Sequence, residues 1–350
     1  MADSKITVIG TGLIGASVGL NLMSKADRRY EVVGLDNSRQ NVRTAKEMGA
    51  IDRSVRSLEE AVDGASMIIL AVPVRVAEGM VTAMKPWIAE GAIVTDTCST
   101  KASFMSTAEE VLGGFASVIG GHPMAGSDES GPASARVDLF KGAAWAVTPS
   151  ALANERSIDV VLGLIESAGA VPIYIDPAEH DELVAPVSHV PLLLSVALFR
   201  MARDSACWED AQQLSGPAFR QFTRLAKGDP QMSTDIVSTN REAIVSWLQR
   251  YRDELGTIIK AIDVGDDAVE DLFKRTQFER EVFDLATVGR KQPAANASAP
   301  SAAEMTAQLF VGGAIYDRLK EMNQGDRDQS DRGELRRKLG IDEDGDRKGR

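Results

Sequence analysis

The chain has three histidines, and one of them stands where chemistry is expected. His122 lies in Gly120-Gly121-His122-Pro123-Met124-Ala125-Gly126, directly after the apolar run Ala116 to Ile119. An imidazole with an ordinary pKa of about 6.5 can accept a proton from a substrate hydroxyl at neutral pH. The competing reading is a loop histidine hydrogen-bonded to backbone. Its place after a strand favours the base, because ligands of open α/β sheets bind outside the carboxyl ends of the strands. The same rule selects Asp96-Thr97-Cys98-Ser99-Thr100-Lys101 after another apolar run. There Ser99 can bond the substrate or His122, and it and Thr100 are also candidate N-caps of the following helix; Lys101 reads as a residue facing solvent. His180 and His189 fall on helical patterns, where satisfied structural histidines are the rule. Arg220 and Arg224 are four apart and share a face if Pro217 to Ala226 is helical. Arginine grips carboxylates bidentately, although for either one taken alone a surface salt bridge is the stronger reading.

These residues need a scaffold, and the N-terminus supplies its signature. Ile6 to Ile9 is a β-branched run that passes into Gly10-Thr11-Gly12-Leu13-Ile14-Gly15 and then into an apolar helical pattern. In a G-x-G-x-x-G turn the first glycine makes the bend, the second admits a pyrophosphate, and the third lets the helix lie against the strand. Leu13 and Ile14 open that helix, whose free N–H groups face an anion. A second strand ends at Asp36, roughly twenty residues on, where a carboxylate accepts from the ribose hydroxyls of NAD and repels a 2′-phosphate. Arg39 nearby is the one feature pointing the other way, toward NADP. Val72 and Pro73 close the third strand and border the nicotinamide half of the site.

Alternating strand and helix periods over the first half predict a doubly wound, mainly parallel sheet of Rossmann type over residues 1–176. Beyond Pro177 the strand signal fades. Helical spacing continues through Pro186 and Pro191, where kinks are expected, and again from Ile244 to Ile262. An all-helical domain is therefore expected over 177–290, with apolar faces larger than one monomer core needs and suited to a homodimer. Residues 291–350 read as an Ala/Ser/Pro linker, an amphipathic helix at Met305 to Met322, and a charged, disordered tail.

Composition narrows the function classes. An apolar fraction of 44% suits globular cores, and a net charge of −12 argues against nucleic acid or an anionic membrane as partner. Two cysteines make neither a disulfide framework nor a metal cluster. No apolar signal region opens the chain, and runs such as Met67 to Val74 are too short to span a bilayer. A cytoplasmic protein is the expectation.

Taken together, several motifs resemble the prephenate and arogenate dehydrogenase family of tyrosine biosynthesis, over roughly residues 5–285. They are the glycine turn, Asp96-x-x-Ser99-x-Lys101, and Gly121-His122-Pro123-Met124-Ala125-Gly126-Ser127 with Gly131. Ser188-His189-Val190-Pro191 and Phe222-Thr223-Arg224-Leu225-Ala226 before Asp229-Pro230 complete the set. The resemblance implies an NAD-dependent oxidative decarboxylase and a dimer built through the helical domain. It puts the catalytic histidine at His122, its serine partner at Ser99, the carboxylate-binding arginine at Arg224, a pocket histidine at His189 and a gating acid at Asp128. Two positions depart from the family pattern. Leu192 stands where prephenate-using relatives often carry a second histidine, and Ser233 replaces an aromatic after Asp-Pro-x-Met; both bear on keto-acid against amino-acid side-chain choice. Two other readings are a β-hydroxyacid or imine dehydrogenase of the same two-domain plan and a catalytically silent NAD-binding sensor.

Overall fold

The structure, a computed structural model, describes residues 4–127 and 129–288, with side chains up to Asp284. The linker, the Met305 to Met322 helix and the charged tail lie outside the described residues, as does Asp128.

Short β-branched runs build β1 (Ser4–Ile9), β2 (Tyr30–Leu35), β4 (Met67–Leu70) and β5 (Ile93–Asp96), with a two-residue edge strand β3 (Arg53–Ser54). β6 (Ser117–Pro123), β7 (Ala144–Pro149) and β8 (Val171–Tyr174) complete one eight-stranded sheet of order β3-β2-β1-β4-β5-β6-β7-β8. All neighbours are parallel except β6 and β7. The antiparallel partner lengthens β6 by pairing Gly121 with Val147 and His122 with Ala146. His122 thus sits within the strand rather than in the loop after it. Two glycines had hidden that extension from hydropathy.

Helices α1 (Leu13–Met23), α2 (Arg39–Glu47), α3 (Leu58–Val62), α4 (Val74–Met84), α5 (Ala102–Leu112) and α6 (Glu155–Ser167) connect these strands. Local chemistry starts several of them: Ser38, Ser57 and Asn154 cap α2, α3 and α6, each accepting from the backbone N–H three residues on. β4 is buried at every residue, and its Ile68 and Leu70 join Val81, Phe104 and Leu112 of the covering helices in the main core. That continuous burial is what a parallel strand covered on both faces requires.

The chain then turns helical: α7 (Pro177–Val184), α8 (Val190–Arg203), α9 (Trp208–Ala211), α10 (Pro217–Phe222), α11 (Pro230–Thr239), α12 (Arg241–Val264) and α13 (Asp266–Val288). Asp176 and Asp229 cap α7 and α11, each followed by a proline at the first helical position. Pro186 and Pro191 do not break the chain. A π-helical turn, Ala185–His189, absorbs the lost N–H donors, so helix runs on from Pro177 to Arg203. By length and composition alone that run passes the test for a membrane span, a test that the core helix of a soluble protein also passes. It also carries His180, Asp181 and His189, all buried. The second core is small: Ala185, Ile236, Ala243 and Ile244 are its fully buried members. Along α12 and α13, by contrast, Ile259, Ile262, Phe273 and Phe278 are exposed.

Candidate active site

The strand order reverses between β1 and β4, and the glycine turn lies at that switch point. Gly10 has φ +90°, and a Cβ there would stand 2.2 Å from the carbonyl oxygen of Ala71. At Gly15 a Cβ would meet the Gly10 carbonyl oxygen at 1.8 Å. Only glycine permits either approach. Gly12 differs, because a Cβ there would meet nothing within 4 Å. Its backbone borders open space at the start of α1, which has no side-chain cap. Leu13 and Ile14 form the first turn, half-buried, and Val72 packs against Gly10 as Pro73 starts α4. Asp36 directly follows β2, beside this turn. Its Oδ2 accepts from the Thr11 N–H at 2.7 Å and the Thr11 hydroxyl at 3.2 Å, and its Oδ1 from the Ser38 N–H at 2.8 Å. An uncapped helix N-terminus, an open glycine face and a held carboxylate fit a dinucleotide with free ribose hydroxyls.

Further along the same edge, β5 and β6 end in a buried polar cluster. Asp96 and Lys101 are both fully buried and joined as an ion pair. Lys101 is therefore no solvent-facing residue; its stem lies inside and its ammonium sits 5.2 Å from the Phe104 ring centre. Asp96 also accepts from the Cys98 N–H at 2.8 Å and the Gly121 N–H at 3.0 Å, tying the end of β5 to the residue before His122. Cys98, buried beside that carboxylate, has its thiol pushed well above the ordinary range, chiefly by burial, and is not a nucleophile.

α5 is not capped by Ser99 or Thr100. Asp181, from α7, accepts from the N–H groups of Lys101 at 2.7 Å and Ala102 at 3.0 Å. The Thr100 hydroxyl instead bonds Thr239 at 2.8 Å, and the half-buried Ser99 hydroxyl makes no hydrogen bond among the described residues. His122, 7% exposed, places Nδ1 2.9 Å from His180 Nε2, and His180 Nδ1 lies 2.7 Å from Asp181 Oδ1. His180 is thus a satisfied histidine, with His122 and Asp181 as its two partners. No sequence signal marked the pair; its members are far apart in the chain, and only adjacency of His180 to an acid hinted at it.

Burial, then His180, Lys101 and His189, hold the His122 imidazole well below the usual histidine range. It is neutral and able to accept a proton. His189 is pulled down to about 4, first by burial. Its Nδ1 accepts from Asn240 Nδ2 at 3.1 Å, and the same amide donates to the Asp181 carbonyl oxygen at 2.6 Å. Among the described residues no three His, Cys, Asp or Glu side chains gather as a metal site.

Arg220 and Arg224 do not share a regular helix. α10 stops at Phe222, and Arg224 opens a 3-10 turn after Thr223. Both nonetheless line one open groove of about 440 Å³, with Phe199, Trp208, Phe219 and Lys227. His122 is not part of that lining. Leu192 is half-buried on α8, and the Ser233 hydroxyl bonds the Asp229 carbonyl at 2.9 Å within α11.

Comparison with known proteins matches two family models in sequence order. Residues 19–174 match the nucleotide-binding domain of prephenate dehydrogenase, and residues 176–278 its dimerization domain. A prephenate dehydrogenase of Lactococcus lactis subsp. cremoris is 32% identical over 286 residues, covering 80% of this chain and 78% of that protein. A cyclohexadienyl dehydrogenase of Zymomonas mobilis is 28% identical over 282 residues, covering 79% and 94%. Among solved structures, A. aeolicus prephenate dehydrogenase in complex with hydroxyphenyl propionate and NAD+ superposes with a TM-score of 0.73 at 26% identity, covering 81% of this chain and 99% of that one. Synechocystis arogenate dehydrogenase gives 0.66 at 28% identity, covering 80% and 99%.

Proposed function

This chain belongs to the prephenate dehydrogenase family, and we propose that it converts prephenate to 4-hydroxyphenylpyruvate, or arogenate to tyrosine, with His122 as the base. The observation that carries the assignment of the base is His122 itself, a buried imidazole held neutral at the substrate edge of the sheet. The substrate is a cyclohexadiene with a ring carboxylate and a C4 hydroxyl. Bound NAD⁺ supplies the acceptor for the C4 hydride as CO₂ departs and the ring becomes aromatic. His122 takes the hydroxyl proton during hydride transfer and returns one to the same oxygen as the phenol forms, and the unengaged Ser99 hydroxyl orients that hydroxyl or the imidazole. Gly10, Gly12, Gly15, Leu13 and Ile14 hold the pyrophosphate, Asp36 the ribose, and Val72 and Pro73 border the nicotinamide. Arg224 receives a substrate carboxylate, with His189 lining the pocket and Asp128 gating it. Aromatisation supplies much of the driving force, so the protein chiefly orients, deprotonates and excludes water.

Two domains meeting at Pro177 fit this division of labour: one holds the cofactor, and the other completes the substrate pocket and forms a homodimer. Exposed Ile259, Ile262, Phe273 and Phe278 support that dimer surface. Leu192 and Ser233 leave side-chain choice to prephenate or to both substrates, which parallel assays with prephenate and arogenate resolve. The direct test of the mechanism is His122→Asn. We expect kcat to fall by about 10²–10⁴-fold with NAD⁺ affinity kept. Normal turnover in that variant removes His122 from the role of base.

A further inference from the structure

We infer that His180 and Asp181 are positioning residues that set the tautomer of His122, leaving Nε2 as the proton-accepting nitrogen. The inference deepens the reading of His122 as base and rests on it.

Hydrogen-bond bookkeeping leads there. Asp181 Oδ1 can only accept in its ionised form, so the ring proton of a neutral His180 sits on Nδ1 and points at that oxygen over 2.7 Å. His180 Nε2 is then a bare lone pair. It faces His122 Nδ1 at 2.9 Å, and one of two nitrogens at that distance must donate. The donor is His122 Nδ1–H. A neutral His122 has spent its one proton, and its Nε2 carries the free lone pair. No protein group bonds that nitrogen among the described residues.

Asp181 is itself firmly held. Its two oxygens accept the N–H groups of Lys101 and Ala102 at the start of α5, and its carbonyl takes the amide of Asn240. The helical domain therefore supplies the residues that orient a base belonging to the nucleotide-binding domain. A carboxylate holding an imidazole, which in turn fixes the proton-accepting atom, is the logic of a catalytic triad; here a second imidazole is inserted.

With only three histidines in the chain, the tautomers can be read directly. Protein labelled with ¹⁵N-histidine is examined by long-range ¹H–¹⁵N correlation at pH 8, with His122→Asn used for assignment. The expected result is a protonated Nδ1 and an unprotonated Nε2 for both His122 and His180. In His180→Leu the restraint on Nδ1 is gone. We expect the His122 proton to appear at Nε2, with kcat about 10²-fold lower and the KM for NAD⁺ unchanged. His180→Gln, whose amide oxygen can accept from Nδ1, should restore most of the rate. The inference is overturned if wild-type His122 is protonated at Nε2, if His180 carries two protons at pH 8, or if His180→Leu turns over at the wild-type rate. A wild-type spectrum as expected, together with an active His122→Asn, would instead sink the base assignment and leave the tautomer result standing.

Discussion

Replacing Lys101 by methionine probes a fully buried charge. The ammonium and its partner Asp96 are both fully buried, and methionine retains most of the stem while deleting the charge. Asp96 would keep its two N–H donors, from Cys98 and Gly121, and lose its only countercharge in the cluster. Breaking a buried pair by removing one partner costs about 3–5 kcal/mol. A Coulomb estimate at about 3 Å with an effective dielectric constant of about 20 gives roughly 5 kcal/mol, the same size. At about 2–4 °C per kcal/mol, the midpoint of thermal unfolding should drop by about 6–20 °C. Urea unfolding should show a lower midpoint with the slope unchanged. The double variant Lys101→Met/Asp96→Asn removes both charges and should regain much of the loss. A single variant within about 1 kcal/mol of wild type, or a double variant no better than the single, would refute the argument that the pair is coupled inside a low-dielectric core.

Three more outcomes follow from the geometry. Gly12→Ala should fold normally, because its Cβ meets nothing, yet raise the KM for NAD⁺ about tenfold or more by intruding on the pyrophosphate. Gly15→Ala should instead lose stability, since its Cβ would lie 1.8 Å from the Gly10 carbonyl oxygen; equal effects of the two substitutions would contradict this division of roles. His189 has a folded pKa of about 4, below its ordinary value, so the unfolded chain binds more protons between about 6.5 and 4. The resulting stability is fully present above about pH 6.5 and is lost as pH falls to 4, by about 3 kcal/mol from this residue. His122 adds to the loss with the same sign, and His189→Gln should flatten the curve measured by urea titration across that range. Finally, Ile259→Glu/Phe273→Glu should shift the protein from dimer to monomer in sedimentation velocity, and a variant that still sediments as a dimer moves the interface away from α12 and α13.

Much of the cofactor side is legible in the chain because its determinants are local. Gly10, Gly12 and Gly15 fall within six residues, and Asp36 directly follows the next strand. Alternating strand and helix periods give the layered fold for the same reason: each period reports which face of a single element is buried. Caps at Ser38, Asn154, Asp176 and Asp229 are likewise settled by residues two or three positions away. His122 and Ser99 are singled out as candidates by a rule of sheet topology that needs only the strand ends.

Tertiary structure decides what lies between those elements. Antiparallel pairing with β7 draws His122 into β6, and that partner lies beyond a long intervening loop. Lys101 reads as solvated until the fold buries it as the ion-pair partner of Asp96. Asp181, not Ser99 or Thr100, caps α5, and His180 rather than backbone holds His122, across 58 residues of sequence. Hydropathy and spacing record how each residue meets its neighbours in the chain. A buried charge or a directed proton depends on which distant group fills its last hydrogen bond, and only the folded packing brings that group within 3 Å.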